Sequence, residues 1–121
     1  MKLAAGPPAS FHVLEPEKAK RMNGKTLYIP SVADVRRAIE SIPFGQMRTI
    51  PQLRAQLAKQ GGADVACPAV TIKYWKWMAF AAEDEGGPEL PWWRVTKDGK
   101  PSDLLPGGHS EHIARLAKEK L

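Results

Sequence analysis

The sequence predicts a mainly α-helical fold with short strands, organised around a winged helix-turn-helix. Three observations predict it. Apolar residues recur at helical spacing in successive stretches between Ser31 and Glu85. Two of those stretches open on capping-box patterns, whose side chains satisfy the free N–H groups of a first turn. The second and third stretches are separated by a few residues that include Gly61-Gly62, the arrangement of a helix-turn-helix. The length of 121 residues suits one ordinary domain. It divides into an N-terminal extension with short strands, 1–30, and a helical unit, 31–121.

Met1 to Ser10 is rich in Ala, Gly and Pro and is expected to be loose. Phe11 to Leu14 is a short apolar run of strand type. Glu15 to Lys25 is charged and ends on Asn23-Gly24, a strong turn pair. Thr26 to Ile29 reads as a second strand, stopped by Pro30. Ser31 then caps the first clear helix, with Asp34 at the capping-box position. Val32, Val35, Ile39 and Ile42 share its apolar face, and Pro43 and Gly45 end it. Thr49 and Gln52 form the next capping box, and Pro51 sits in the first turn, where its missing N–H costs nothing. Leu53 and Leu57 are its buried side, and Gly61-Gly62 terminates it. The third helix runs from Pro68 to about Glu85. Val70, Ile72, Tyr74, Trp75, Trp77, Met78 and Phe80 make it apolar on nearly all sides, the pattern of a central, buried helix. Gly86-Gly87-Pro88 is a loop, and a short strand is expected within Trp92 to Thr96. Turns follow at Lys97 to Lys100 and at Pro106-Gly107-Gly108. Glu111 to Leu121 can form a last amphipathic helix with Ile113, Leu116 and Ala117 inward.

Composition narrows the function. The chain is 43% hydrophobic and 26% charged, which is globular rather than disordered. Lys73 and Lys76 interrupt the best apolar run, so no membrane span is expected. Met1 to Ser10 lacks an apolar signal-peptide core, which points to the cytoplasm. The lone Cys67 excludes an internal disulfide and a thiolate metal cluster, and it fits a reducing compartment. His12, His109 and His112 show no metal-ligand spacing with a second ligand type, so neither metal nor cofactor is expected. The net charge of +5 favours polyanionic partners. From Ser41 to Ala82 there are five basic residues, Arg48, Arg54, Lys59, Lys73 and Lys76, against one acid, Asp64. The acids Glu83, Asp84, Glu85 and Glu89 cluster after them. The charge is therefore oriented, not uniform.

Four motifs carry a resemblance to a known family. Ile42-Pro43-Phe44-Gly45-Gln46-Met47-Arg48-Thr49 is similar to the opening I-P-x-G-x-V-x-T of the O6-alkylguanine-DNA alkyltransferases. The helix-turn-helix follows. Pro91-Trp92-Trp93-Arg94-Val95 resembles the active-site motif P-C-H-R-V, and Pro106-Gly107-Gly108 resembles the glycine pair after it. The match covers about Ser31 to the C-terminus. The resemblance implies the alkyltransferase C-terminal-domain fold and binding to double-stranded DNA. In the enzymes the cysteine attacks the alkyl carbon of a base rotated out of the duplex. Trp92 stands at the cysteine position and Trp93 at the histidine position, and an indole is neither nucleophile nor base at neutral pH. The resemblance therefore points to the alkyltransferase-like proteins, which bind alkylated guanine without repairing it and recruit other repair factors. The chain departs from the family elsewhere. Ile50 stands where a Tyr rotates the phosphate, Pro68 near the place of the inserted Arg, and Gly87-Pro88 at the Asn-Pro hinge.

The candidate DNA contacts are Arg48, Thr49, Arg54, Thr71, Lys73 and Lys76; the alternative is a solvated face. The candidate lesion pocket is Trp92, Trp93 and Arg94. The indoles either stack on a base or fill the former cavity as core, and Arg94 either braces the site or meets DNA. Cys67, before Pro68 at a helix start, is a candidate reactive thiol or a small structural residue. Three functions follow. The first is a non-catalytic, alkyltransferase-like DNA-binding protein that senses altered bases in DNA repair. The second is a protein-interaction module using the Glu83 to Glu89 stretch or the N-terminal segment. The third is a thiol protein dependent on Cys67.

Overall fold

The computed structural model describes residues 7–84, 90–100 and 105–119. The fold is mixed α/β with helix dominant. The elements run β1 (Ser10–Val13), α1 (Pro16–Met22), β2 (Thr26–Ile29), α2 (Val32–Glu40), β3 (Arg48–Thr49), α3 (Ile50–Gly61), β4 (Val65–Ala66) and α4 (Pro68–Asp84). A single 3₁₀ turn, Trp92–Arg94, then leads into β5 (Val95–Thr96), and α5 (Gly108–Lys118) closes the described chain.

Helices α2, α3 and α4 pack on one another around Val35, Ile39, Leu53, Leu57, Trp75 and Met78. Both expected capping boxes form. The Ser31 hydroxyl accepts from the Asp34 N–H, and the Thr49 hydroxyl from the Gln52 N–H. The reciprocal carboxylate and amide contacts complete each box, which satisfies two backbone N–H groups at each helix start. Gly62, at φ 69°, ends α3 in the left-handed conformation that glycine adopts at low cost.

Two small sheets hold the helices in place. One has the order β1-β2-β4, antiparallel between β1 and β2 and parallel between β2 and β4. The Cys67 N–H donates to the Tyr28 carbonyl at 2.9 Å, which extends this ladder to the start of α4. The other sheet pairs β3 with β5 in parallel, Arg48 opposite Val95 and Thr49 opposite Thr96. It brings the start of α3 beside the 3₁₀ turn.

Several expectations are corrected. Glu15 to Lys25 is not simply a charged connection, because it contains α1. Pro16 opens this helix, and Asn23 at φ 58° ends it in the left-handed conformation. The expected strand over Trp92 to Thr96 is confined to Val95–Thr96, because the residues before it take up the 3₁₀ turn. Helix α4 is not buried all round: Tyr74, Trp75, Met78 and Ala79 face the core, while Trp77 is 39% and Phe80 42% exposed. Its neighbours cover one side only. Helix α5 begins at Gly108, earlier than expected, and is turned: His112 is buried, while Ile113 and Ala117 are exposed. Apolarity alone places Ile113 inward. The packed surface instead offers hydrogen-bond partners, which select His112 and Glu119. The Gly86-Gly87-Pro88 loop, the Gly87-Pro88 hinge and most of the Glu83 to Glu89 stretch lie outside the described residues.

Candidate functional site

The 3₁₀ turn places Trp92, Trp93 and Arg94 in one connected polar and aromatic cluster. Trp92 has no exposed surface, and its carbonyl accepts from Trp75 Nε1 at 2.9 Å. Its own Nε1 has no hydrogen-bond partner among the described residues. The Trp93 ring meets Trp92 edge-on at 5.7 Å, and the His112 ring does so from the other element at 5.6 Å. The Arg115 guanidinium lies 5.3 Å from the Trp92 ring centre and 5.0 Å from that of Trp93, within cation–π range of both.

Glu119, the C-cap of α5, ties this cluster to the loop after α2. It accepts from the Gly45 N–H at 2.8 Å, from Trp93 Nε1, and from Arg94 Nε at 2.9 and 3.0 Å. Arg94 also donates to the Ile42 carbonyl at 2.9 Å and lies over the Phe44 ring at 5.5 Å. Burial alone would raise the Glu119 carboxyl. The bonds from Gly45, Trp93 and Arg94 outweigh it and hold the group below its ordinary range. The His112 pKa is lowered too, but here the neutral form is the favoured one. Burial disfavours its charged form and lowers its pKa, against the opposing bond to the Trp93 carbonyl at 2.9 Å. Because a carbonyl only accepts, that bond requires the proton on Nε2.

The three residues assigned to a lesion pocket are thus brought together, but as packed structure. Trp92 is fully buried and offers no face to a base, so of its two expected roles its burial matches the core one. Arg94 directs Nε at Glu119 and Nη1 at the Ile42 carbonyl. His112, Arg115 and Glu119 complete the cluster, and sequence reasoning missed all three. Their spacing, three and four residues apart on one helix face, was the available signal.

Of the expected DNA contacts, Lys73 and Lys76 lie together. Ala69, Ile72, Lys73, Lys76 and Trp77 recur three and four residues apart and form one stripe along α4, lining an open groove of about 250 Å³. Lys73 and Trp77 are exposed and Ile72 and Lys76 half-buried. Lys73 Nζ sits 4.5 Å from the Trp77 ring centre, and the Tyr74 ring leans against Trp77 at 5.8 Å and 45°. Thr71 is on the opposite side of the helix. It is fully buried, and its hydroxyl donates to the Cys67 carbonyl at 2.7 Å, so it is not a DNA contact. Arg54 is half-buried, with Nε donating to the Ala66 carbonyl at 2.9 Å, which pins α3 to β4. Arg48 lies in β3 and donates to the Met47 carbonyl at 3.0 Å, and Thr49 caps α3. Cys67 is half-buried just before α4, with both backbone polar groups hydrogen-bonded.

Among the described residues no group of three or more His, Cys, Asp or Glu side chains could hold a metal ion, and no helix is long and apolar enough to cross a membrane. Comparison with known proteins returns no matching family model, no matching curated protein and no matching solved structure.

Proposed function

We propose that this chain is a non-catalytic, alkyltransferase-like DNA-binding protein. In this reading α3 and α4 are the two members of its helix-turn-helix, and the β3–β5 pair with its flanking turns is the wing. The observation that carries it is the exposed stripe of α4, where Lys73 and Lys76 flank an open groove on the member of the pair that would enter DNA. The net charge of +5 supports it. Non-catalytic is part of the reading because Trp92, at the place of the alkyl-accepting cysteine, is a buried indole. Double-stranded DNA is the partner, with other repair proteins as further candidates.

The test is binding to paired duplexes, with and without one O6-methylguanine, across a salt series. Affinity should fall steeply, by about 0.9 in log K per log salt for each phosphate neutralised. Tighter binding to the lesion duplex would make the protein a damage sensor; equal binding would make it a general DNA-binding domain. After incubation the protein should carry no added methyl mass. Absence of binding at low salt, or a transferred methyl group, overturns the reading.

A further inference from the structure

We infer that the α4 stripe is a stacking site for an unpaired base of single-stranded nucleic acid, with Trp77 as the platform and Lys73 and Lys76 on the flanking phosphates. This rests on the nucleic-acid reading above and names the form of ligand that the stripe takes. A helix that only follows a duplex groove needs polar and cationic side chains at its surface. This one holds an indole, 39% exposed, at the C-terminal end of its cationic stripe. An aromatic group that size normally seeks the core. Here Trp75 and Met78 already fill the core side, which leaves Trp77 outward.

The indole is also held in place. Tyr74 leans against it from one turn back, and Lys73 Nζ lies over the ring at 4.5 Å, a place the ammonium gives up to a stacking base when it moves to the adjoining phosphate. A positioned ring loses little conformational entropy when a flat ligand stacks on it. The two lysines stand at positions i−4 and i−1 relative to Trp77, so cations border the ring on its N-terminal side. The unpaired base and its phosphates match this pair of features: a π-face for the indole and anionic oxygens for the ammonium groups. Duplex DNA matches only the second, because its bases are stacked on each other. The groove, about 250 Å³, is open to solvent. Ala69 and Ile72 add apolar side chains to its lining, and stacking on an indole tolerates any base, so the site is expected to accept any sequence.

The experiment uses the full chain with labelled oligo(dT), oligo(rU) and a duplex of the same length, read by anisotropy and by tryptophan fluorescence over a salt series. Both single strands should bind more tightly than the duplex and quench the fluorescence. Trp77→Ala should weaken single-strand binding by about five- to 150-fold, abolish most of the quenching and leave the salt slope unchanged. Trp77→Phe should restore most of the affinity. Lys73→Gln and Lys76→Gln should each lower the slope by about 0.7. If duplex binding is salt-sensitive but single strands bind no better and Trp77→Ala changes nothing, the stacking site is overturned while DNA binding stands. If nothing binds, both fail. If Trp77→Ala instead converts a dimer to a monomer in sedimentation without touching oligonucleotide affinity, the stripe is a contact between two copies of the chain and the proposal is wrong.

Discussion

Arg94 and Glu119 form a two-oxygen contact, Nε lying 2.9 and 3.0 Å from the carboxylate oxygens, with side chains only 15% and 6% exposed. The pair joins the 3₁₀ turn to the end of the last described helix. Through Ile42 and Gly45 it also reaches the loop that follows α2. Removing one member strands the other in a poorly solvated place.

The consequence is a strongly non-additive pair. Glu119→Ala leaves the guanidinium unpaired and should cost about 3–5 kcal/mol. The double variant Arg94→Ala/Glu119→Ala should cost clearly less than the sum of the two single ones, because the second deletion removes the unpaired charge. Urea denaturation of the four proteins measures the cycle. Additive losses would mean that the two residues act independently.

His112 gives the acid side of the stability curve its first slope. Its pKa is lowered from the ordinary 6.5 by burial, so the folded state binds the proton more weakly than the unfolded chain. Its contribution is complete above 6.5. It is lost as the pH falls from there through the lower, folded value. Glu119 is likewise held below its ordinary 4.5, so it adds a second loss at lower pH. Thermal unfolding between neutral pH and about pH 5 should show a decline in the native protein that His112→Gln flattens. An unchanged slope in that variant would remove His112 as the cause.

The contrast between legible and illegible parts follows from the range of the forces. Helix starts were readable because a cap is settled within four residues: Ser31 with Asp34 and Thr49 with Gln52 form as their spacing dictates. The core faces of α2 and α3 were readable from Val35, Ile39, Leu53 and Leu57, whose periodicity is uninterrupted. The orientation of α5 was not. His112 and Glu119 turn inward because Trp93, Arg94 and Gly45, 19 to 74 residues away, supply partners. The spacing of His112, Arg115 and Glu119 puts them on one face, but no local pattern says that this face turns inward. Half of α4 was misjudged for a related reason. Its sequence is apolar on every side, and only the placement of α2 and α3 decides which side is covered. Lys73 and Lys76 were legible as a pair, since one helical turn of spacing is enough to put them on one face.

Gly61 should tolerate no side chain. A Cβ there would come within 2.4 Å of the Tyr28 ring. The ring cannot swing away freely, because its hydroxyl donates to Asp34 at 2.5 Å. That bond, with burial acting first, pushes the Tyr28 pKa up to about 12. Gly61→Ala should therefore cost about 1–3 kcal/mol, although alanine is the better helix former. Calorimetry of Gly61→Ala decides the point, and a stabilised variant would show that the ring can move.

Arg54 and Lys76 were both candidates for phosphate contact, and their surroundings separate them. Arg54 is half-buried and donates Nε to the Ala66 carbonyl, a bond that holds α3 against the strand leading into α4. Lys76 lines the open groove. Arg54→Ala leaves a carbonyl without its donor and should cost about 1–3 kcal/mol, lowering the melting temperature. Lys76→Gln should leave the stability within about 0.5 kcal/mol of the native value and instead lower the duplex salt slope by about 1. A variant series that measures both quantities on each protein distinguishes the roles, since a structural residue moves the first and a phosphate ligand the second. If Lys76→Gln melts early and binds DNA as the native protein does, the cationic stripe is part of the packing, and the nucleic-acid reading loses the observation that carries it.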